Sequence, residues 1–160
     1  MITQEDILKA YTYEADTGML RRVGGRKDYP WRQIGTGGKY LATGFMGKTL
    51  YAHRMVWMYH YGYWPRYVDH IDRDTKNNRV ENLRECTQSQ NNYNSTIKSN
   101  NKCGYKGVRK IEKLPNNPWE AKIVVAGKIK ILGYYSTPEA AHEAYLTGAQ
   151  KYAKEFARGR

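Results

Sequence analysis

A polar stretch near the middle of the chain limits what this sequence can fold into. Residues 92–103 are almost wholly polar, which is the composition of a linker rather than of a core element. In a chain of 160 residues this leaves two parts, each with only a modest hydrophobic core. We therefore expect two domains, over residues 1–94 and 104–160, joined by a linker at 95–103.

The composition favours a folded protein that binds polyanions. Hydrophobic residues make up 40% of the chain, and the formal net charge is +12. The excess of positive charge is largest in residues 101–160, which contain 12 Lys and Arg but only 5 Asp and Glu. Such a charge attracts nucleic acids and anionic membranes alike. Many of the lysines fall on predicted strands rather than on a basic amphipathic helix, which favours nucleic acid over a membrane.

Nothing in the sequence indicates export or membrane insertion. No apolar run approaches the roughly 18 residues of a membrane span, and the N-terminus does not resemble a signal peptide. Cys86 and Cys103 are too far apart for a Cys-x-x-Cys pair, which excludes a four-cysteine zinc site. We expect two free thiols and a cytoplasmic protein, in the host cytoplasm if a phage encodes it.

The N-terminal part predicts short helices separated by small β-hairpins. Thr3 and Asp6 predict a capped helix that ends near Ala10. Residues 11–51 are rich in glycine and tyrosine and predict short antiparallel hairpins. Residues 53–61 predict a helix that stops at Gly62.

A second hairpin and a helix follow. A strand should lead into Asp69, a polar turn should follow over 72–78, and residues 79–84 should form the returning strand. Thr87 and Gln90 have the spacing of a capping box, which places the next residue, Asn91, in or beside the first turn of a new helix.

Beyond the linker, the pattern predicts three strands and one helix. Residues 119–125 begin with apolar and polar residues in alternation, Ala126-Gly127 can turn the chain into residues 128–132, and Thr137 can cap an alanine-rich helix that runs to about Phe156. Together with the N-terminal pattern, this indicates the α+β class.

Four polar residues in the second hairpin region have the chemistry of a phosphodiesterase. Hydrolysis of a phosphodiester requires a cation on the phosphate, a base that activates water, and a group that holds the base in place. The carboxylate of Asp69 and the amide of Asn91 suit a hard cation. His70 suits the base, and Asn82 suits the orienting role.

The segment from about His53 to Asn94 resembles the HNH (His-Me finger, ββα-metal) family of phage and intron-associated homing endonucleases. The matching text is His53-Arg54, Gly62-Tyr63-Trp64-Pro65, Val68-Asp69-His70-Ile71-Asp72, Asn77-Asn78-Arg79-Val80-Glu81-Asn82-Leu83-Arg84 and Gln90-Asn91. The resemblance implies a ββα-metal core for the first domain. It also implies one bound divalent cation, with Mg²⁺ as the expected ion and Mn²⁺ as the alternative.

The resemblance assigns a role to each matching residue. Asp69 would be a metal ligand, His70 the general base, Asn82 the residue that braces the hairpin and the His ring, and Asn91 the second metal ligand. Asn92 stays open as an alternative to its neighbour. A chain with one such site is expected to nick one strand, leaving 5′-phosphate and 3′-hydroxyl ends.

Other polar residues of the first domain have more than one possible role. His53 is expected either to bind the backbone or a phosphate, or to be structural. Arg73, Lys76 and Arg84 are candidates for contacts to DNA phosphates.

Residues 104–157 resemble the APETALA-two, or ethylene-response-factor, DNA-binding domain. The matching text is Gly104-Tyr105-Lys106-Gly107-Val108-Arg109, Trp119-Glu120-Ala121-Lys122-Ile123, Ile131-Leu132-Gly133-Tyr134-Tyr135-Ser136-Thr137-Pro138-Glu139-Ala140-Ala141 and Ala144-Tyr145. The resemblance implies a three-stranded antiparallel sheet packed on one helix, with the outer face of the sheet in the major groove.

The candidate DNA contacts of this domain are basic. Lys106 and Arg109 are expected on the first strand, Lys122 on the second, with its side chain away from the helix, and Lys128 at the start of the third. Arginine can bond guanine at two points, whereas lysine mostly holds phosphates.

The domain departs from the pattern of the family that it resembles at Ile111, Val124 and Ile131. The resemblance leads us to expect polar or aromatic residues that contact DNA bases at these three positions. Sequence preference would then be weak or would depend on thymine methyls. The simpler alternative is a basic sheet that supplies only electrostatic affinity.

Taken together, the sequence predicts a metal-dependent HNH DNA endonuclease of the homing type, active as a monomer or homodimer. Its partner would be double-stranded DNA, with no membrane and no small-molecule substrate. One alternative is a non-catalytic DNA-binding regulator derived from such a nuclease. A second is an RNA-binding module, which ranks lower because paired aromatic stacking motifs are missing.

Overall fold

A computed structural model describes residues 1–24, 32–34, 38–95, 97, 101–153 and 156, with the backbone alone at 32–34 and 153. The chain divides into two units, Met1–Cys86 and Thr87–Arg160. This division lies before the predicted linker, because the helix that begins after Thr87 makes its contacts with the second unit. Residues 96 and 98–100 of that linker lie outside the described residues.

The first unit is a set of short helices and two- or three-stranded antiparallel sheets. Strand β1 pairs with β2, β4 lies between β3 and β5, and β6 pairs with β7. The elements are α1 (Gln4–Ala10), β1 (Tyr11–Glu14), β2 (Met19–Arg22), β3 (Arg32–Ile34), β4 (Tyr40–Phe45), β5 (Lys48–Tyr51), α2 (Ala52–Tyr61), β6 (Val68–His70) and β7 (Leu83–Glu85).

Local sequence signals set the ends of the helices in this unit. The predicted N-cap of α1 at Thr3 is confirmed and forms part of a capping box, since the Thr3 and Asp6 side chains each accept the other's backbone N–H. The predicted stop of α2 is confirmed as well: Gly62 adopts φ 78°, the left-handed conformation that glycine tolerates best. Helix α2 buries most of one side in the core and so fixes the position of His53 at its start.

The hairpin β1–β2 contacts the backbone of residues 78–80, which follow the polar turn after β6. The backbone N–H of Val80 donates to the Tyr13 hydroxyl (2.9 Å), and Arg79 Nε donates to the carbonyl oxygen of Asp16 (2.9 Å). Gly18 sits in the turn with φ 70°, and a Cβ at this position would overlap the backbone of Asn78 and Arg79. The hairpin is therefore in direct contact with residues 78–80. A side chain larger than that of glycine at position 18 would prevent this contact.

The second unit is a helix followed by a three-stranded antiparallel sheet that packs on a second helix. The strand order is β10-β9-β8, and α4 contacts all three strands. Its elements are α3 (Gln88–Asn94), β8 (Val108–Lys110), β9 (Trp119–Val125), β10 (Lys128–Tyr135) and α4 (Pro138–Ala153).

The predicted packing of this sheet is confirmed. Ala121 and Ile123 are buried on the side that contacts α4, and Trp119 is partly buried beside them. Gly107, at φ 76°, lies so close to the Tyr145 ring of α4 that a Cβ would overlap the ring. Side-chain size at position 107 therefore limits how closely the sheet approaches the helix.

Two predicted details differ from the structure. Asn82 lies in a 3₁₀ turn, Val80–Asn82, and not on the returning strand, because its side chain closes the turn. Lys106 lies in a turn before β8 and not on the first strand. Helix α4 is described as far as Ala153, and residues 154 and 155, which precede its predicted end near Phe156, lie outside the described residues.

Both cysteines are free, as expected. None of the helices in the described part of the chain is long and apolar enough to cross a membrane.

Replacing Gly18 by alanine should destabilise the protein more than the same change at Gly24. Both glycines have positive φ, 70° and 67°, so alanine at either position should cost about 1 kcal/mol in backbone strain. Only Gly18 also faces a neighbouring backbone, whereas nothing lies within 4 Å of a Cβ on Gly24. Urea unfolding of the two variants measures the difference, and equal losses would show that the contact with residues 78–80 is unimportant.

Candidate active site

Strands β6 and β7 place Asp69 directly opposite Arg84 and His70 opposite Leu83. The Arg84 guanidinium donates to the Asp69 Oδ2 from both Nε (3.0 Å) and Nη2 (2.8 Å). Both side chains are largely buried. Because a buried carboxylate needs a partner, this charge-assisted pair accounts for how Asp69 is tolerated beside the core.

The His70 ring is held by Asn78, a residue to which the sequence assigns no role. His70 Nε2 lies 3.1 Å from Asn78 Oδ1, and both side chains are buried. An amide oxygen only accepts, so the Nε2–H donates and the lone pair of the neutral imidazole is on Nδ1. The Asn78 amide donates in turn to the Lys76 carbonyl oxygen (3.1 Å).

Burial also sets the charge of this histidine. Desolvation lowers the pKa of His70 below its ordinary value, and this effect outweighs the hydrogen bond to Asn78 and the nearby carboxylates, which raise the pKa. The ring is therefore neutral at neutral pH, the form in which an imidazole can accept a proton.

Asn82 closes the turn that follows β6. Its Oδ1 accepts the Asp72 backbone N–H (3.1 Å), and its Nδ2 donates to Asp72 Oδ1 (2.9 Å) and to the Asn77 carbonyl oxygen (2.8 Å). These bonds place its amide across the turn and on the backbone that leads into Asn78. Asn82, the predicted brace for the hairpin and the His ring, bonds across the turn, and Asn78 is the residue whose side chain bonds the His70 ring.

Aromatic rings surround the side chain of His53, which lies beside His70. The His53 ring lies edge-on to His70, with centroids 5.2 Å apart, and is flanked by Tyr40 at 5.5 Å and Tyr51 at 5.6 Å. Burial, with smaller effects of His70 and Arg54, lowers the pKa of His53 to about 3. Among the described residues, no partner lies within hydrogen-bonding distance of its buried Nδ1.

The residue after His53 ties helix α2 to the segment before β6. Arg54 donates to the carbonyl oxygens of Pro65 (2.7 Å) and Arg66 (3.3 Å), and its guanidinium lies over the Trp64 ring. This side chain fixes where strand β6 begins, and so it positions Asp69 and His70 indirectly.

The donor chemistry for a divalent cation is partly present in the first unit. Within the described ranges, no three His, Cys, Asp or Glu side chains lie close enough together to hold a metal ion. The Asp69 carboxylate suits a hard cation, and its Oδ2 already accepts two bonds from Arg84. The Asp69 carboxylate can bind a cation if Arg84 shares or releases the Oδ2 atom.

The other predicted site residues of the N-terminal part are divided between the two units. Arg73 and Lys76 are in the turn between β6 and β7, half-buried and exposed respectively. Asn91 is half-buried on α3 of the second unit, where its backbone N–H donates to the Thr87 carbonyl oxygen (2.9 Å), and its neighbour Asn92 is exposed. The predicted capping box of that helix, Thr87 with Gln90, is confirmed.

The four basic candidates of the second unit have different surroundings. Lys106 Nζ donates to the carbonyl oxygens of Tyr93 (2.6 Å) and Ser95, at the end of α3. This is the position in which a lysine stabilises a helix C-terminus. Lys128 is exposed, but it pairs with Val125 on the side of the sheet that carries α4.

Arg109 and Lys122 lie on the opposite, outer face of the sheet. Arg109 donates to Glu120 through Nε (2.7 Å) and Nη2 (3.2 Å), and Lys122 Nζ lies 3.9 Å from the same carboxylate. Of the four candidates, these two are the ones that share the face expected to meet DNA.

Asn78 is the residue that the sequence analysis missed. Asn77 and Asn78 are identical neighbours in a polar turn, where asparagine usually serves the backbone. The distinction between them is burial: Asn78 is fully buried, whereas Asn77 is partly exposed and bonds Asp72. No local pattern carries that information.

Replacing His53 by phenylalanine should reduce the acid sensitivity of the fold. An unfolded histidine protonates near pH 6.5, whereas folded His53 stays neutral to about pH 3, so the unfolded chain binds the extra proton between these values. His53 therefore lowers the free energy of unfolding by about 2 kcal/mol between pH 6.5 and 5.

Urea unfolding at pH 7 and 5 measures this effect in wild type and the His53→Phe variant. The variant should lose less stability on acidification, and its stability at pH 7 should not fall, because it removes a buried nitrogen that lacks a partner. The same pH dependence in both proteins would contradict the neutral, buried state of His53.

Comparison with known proteins matches this same region. The family model described as HNH endonuclease matches residues 50–93. An uncharacterized HNH endonuclease of Acanthamoeba polyphaga mimivirus is 38% identical over 91 residues, which cover 57% of this chain and 45% of the relative. This chain thus spans less than half the length of that relative.

No solved structure matches the chain. The family match ends at residue 93 and gives no support to the APETALA-two resemblance of residues 104–157. The segment that carries Asp69, His70 and Asn78 is therefore similar to HNH endonucleases.

Proposed function

We propose that this protein is a metal-dependent DNA endonuclease that hydrolyses phosphodiester bonds at the site around His70. The observation that carries the proposal is the buried, neutral His70, held through Nε2 by Asn78 inside the segment that matches HNH endonucleases. An imidazole fixed in one orientation beside a carboxylate is suited to activate water.

In the proposed reaction, His70 takes a proton from water at Nδ1 while the water oxygen bonds to phosphorus. The bond from phosphorus to the 3′ oxygen of the sugar breaks, and that oxygen takes a proton from solvent, which leaves 5′-phosphate and 3′-hydroxyl ends. Asn78 holds the ring so that Nδ1 keeps its lone pair. Asn82 holds the turn that carries Asn78.

Asp69 and Asn91 are the proposed ligands of a divalent cation, Mg²⁺ first and Mn²⁺ as the alternative. The bound ion would neutralise charge on the scissile phosphate and on the leaving oxygen. Asp69 supports this role by its chemistry, and Arg84, which bonds the same carboxylate, would keep that carboxylate oriented. The role of Asn91 as the second ligand is proposed from the sequence alone.

The second unit is proposed to bind duplex DNA through the outer face of its sheet. Arg109 and Lys122 on that face, together with the basic charge of residues 101–160, support this assignment. The unit would thereby raise the affinity of the chain for DNA and influence where it cuts. We propose homing-type nicking of one strand per monomer, because one chain carries one such site.

A supercoiled plasmid tests the proposed activity. Wild type with Mg²⁺ or Mn²⁺ should convert it to the open circular form, and the His70→Ala variant should lose this activity by a factor of about 100 or more. His60→Ala is the matched control, since His60 is an exposed histidine on α2 and should leave nicking unchanged. A plasmid that wild type binds but leaves supercoiled with every metal would favour the non-catalytic regulator.

The role of Asn78 can be separated from that of its neighbour. Asn78→Ala should lower the nicking rate about 10- to 100-fold at saturating DNA, with DNA affinity unchanged, because the His70 ring loses its hydrogen-bond acceptor. Asn77→Ala removes the adjacent amide, which bonds Asp72 instead, and should have a smaller effect. Equal effects of the two substitutions would mean that only the integrity of the turn matters.

A further inference from the structure

The outer face of the second unit's sheet carries an exposed apolar patch. Ile129 pairs with Val124, and Ile131 pairs with Lys122, so these side chains project from the side opposite α4. Ile129 is 66% exposed and Ile131 51% exposed, with Tyr134 beside them at 44%. Apolar residues that lie together on an exposed face can mark a contact surface for a ligand or partner.

The charged groups on this face suit a polyanion. On the described strands of the outer face the acidic residue is Glu120, and it is 2% exposed because Arg109 and Lys122 cover it. Two cations and one carboxylate leave the described groups of this face with a net positive charge beside the exposed apolar side chains. A protein partner would have to supply matching acids, whereas duplex DNA offers phosphates on both sides of a groove.

The Arg109–Glu120 pair restricts how this face can distinguish bases. Glu120 engages Nε and Nη2 of the guanidinium at 2.7 and 3.2 Å. That edge of Arg109 cannot bond the O6 and N7 of a guanine without breaking the pair. The contacts to base edges that this face can offer without rearrangement then include the apolar side chains of Ile129 and Ile131.

Thymine presents the matching group in the major groove. Its C5-methyl is an apolar group on a base edge, and the groove is wide enough for a two-stranded β-ribbon. We infer that Ile129 and Ile131 contact thymine methyl groups and give the protein a preference for thymine in its DNA site. This inference rests on the proposed binding of duplex DNA by the second unit.

Replacing thymine by deoxyuridine tests the inference, because it removes the methyl group and keeps the base pair. The full-length protein is titrated in EDTA, at one fixed salt concentration, against an alternating A·T duplex of about 30 base pairs and its A·U counterpart. Loss of one buried methyl should weaken binding about fourfold, and loss of two about 15-fold. A G·C duplex that carries 5-methylcytosine should bind more tightly than the unmethylated one.

A variant with Ile129→Ser and Ile131→Ser should bind the A·T and A·U duplexes equally. Leu8→Ser is the matched control, since Leu8 is an exposed apolar residue on α1 and its loss should preserve the discrimination. Equal binding of A·T and A·U duplexes by wild type would overturn the inference and leave the proposed function standing. Failure to bind any duplex would overturn the proposed DNA binding itself.

One further result would identify a different occupant of the patch. If the Ile129→Ser, Ile131→Ser variant turns a dimer into a monomer in sedimentation, and wild type does not discriminate thymine from uracil, the patch is an interface between two copies. That outcome overturns the thymine contact.

Discussion

The arrangement of the site depends on the hydrogen bond between the His70 imidazole and the Asn78 amide. Both groups are buried, and a buried polar group without its partner costs about 1–3 kcal/mol. The backbone that carries Asn78 must therefore be held in place. The contacts of Gly18 and Tyr13 hold it, and Asn82 holds the preceding turn. The N-terminal hairpin lies outside the matched segment 50–93 and still supports this part of it.

Most of the local structure could be predicted, because its causes are local. Capping boxes at Thr3 and Thr87 begin helices, Gly62 ends one, and the alternation from Trp119 identifies a half-buried strand. These signals need only a few neighbouring residues.

What could not be predicted depends on contacts between distant residues. Asn78 is buried and Asn77 is not, because Gly18 in the turn of the first hairpin lies against the backbone of residues 78 and 79, and Arg79 bonds the same hairpin. The same holds for Lys106, a DNA candidate in the sequence, whose ammonium group lies on the carbonyl oxygens at the end of α3. A lysine's charge is visible in the sequence, whereas the acceptor that it meets is not.

The tautomer of His70 tests the account most directly. Long-range ¹H–¹⁵N spectra of the protein labelled at histidine, recorded at pH 7, distinguish the two ring nitrogens. The Asn78 contact predicts a neutral His70 ring with the proton on Nε2, and this state should be lost in the Asn78→Ala variant. A His70 ring protonated on Nδ1, or on both nitrogens, in the wild-type protein would contradict the account.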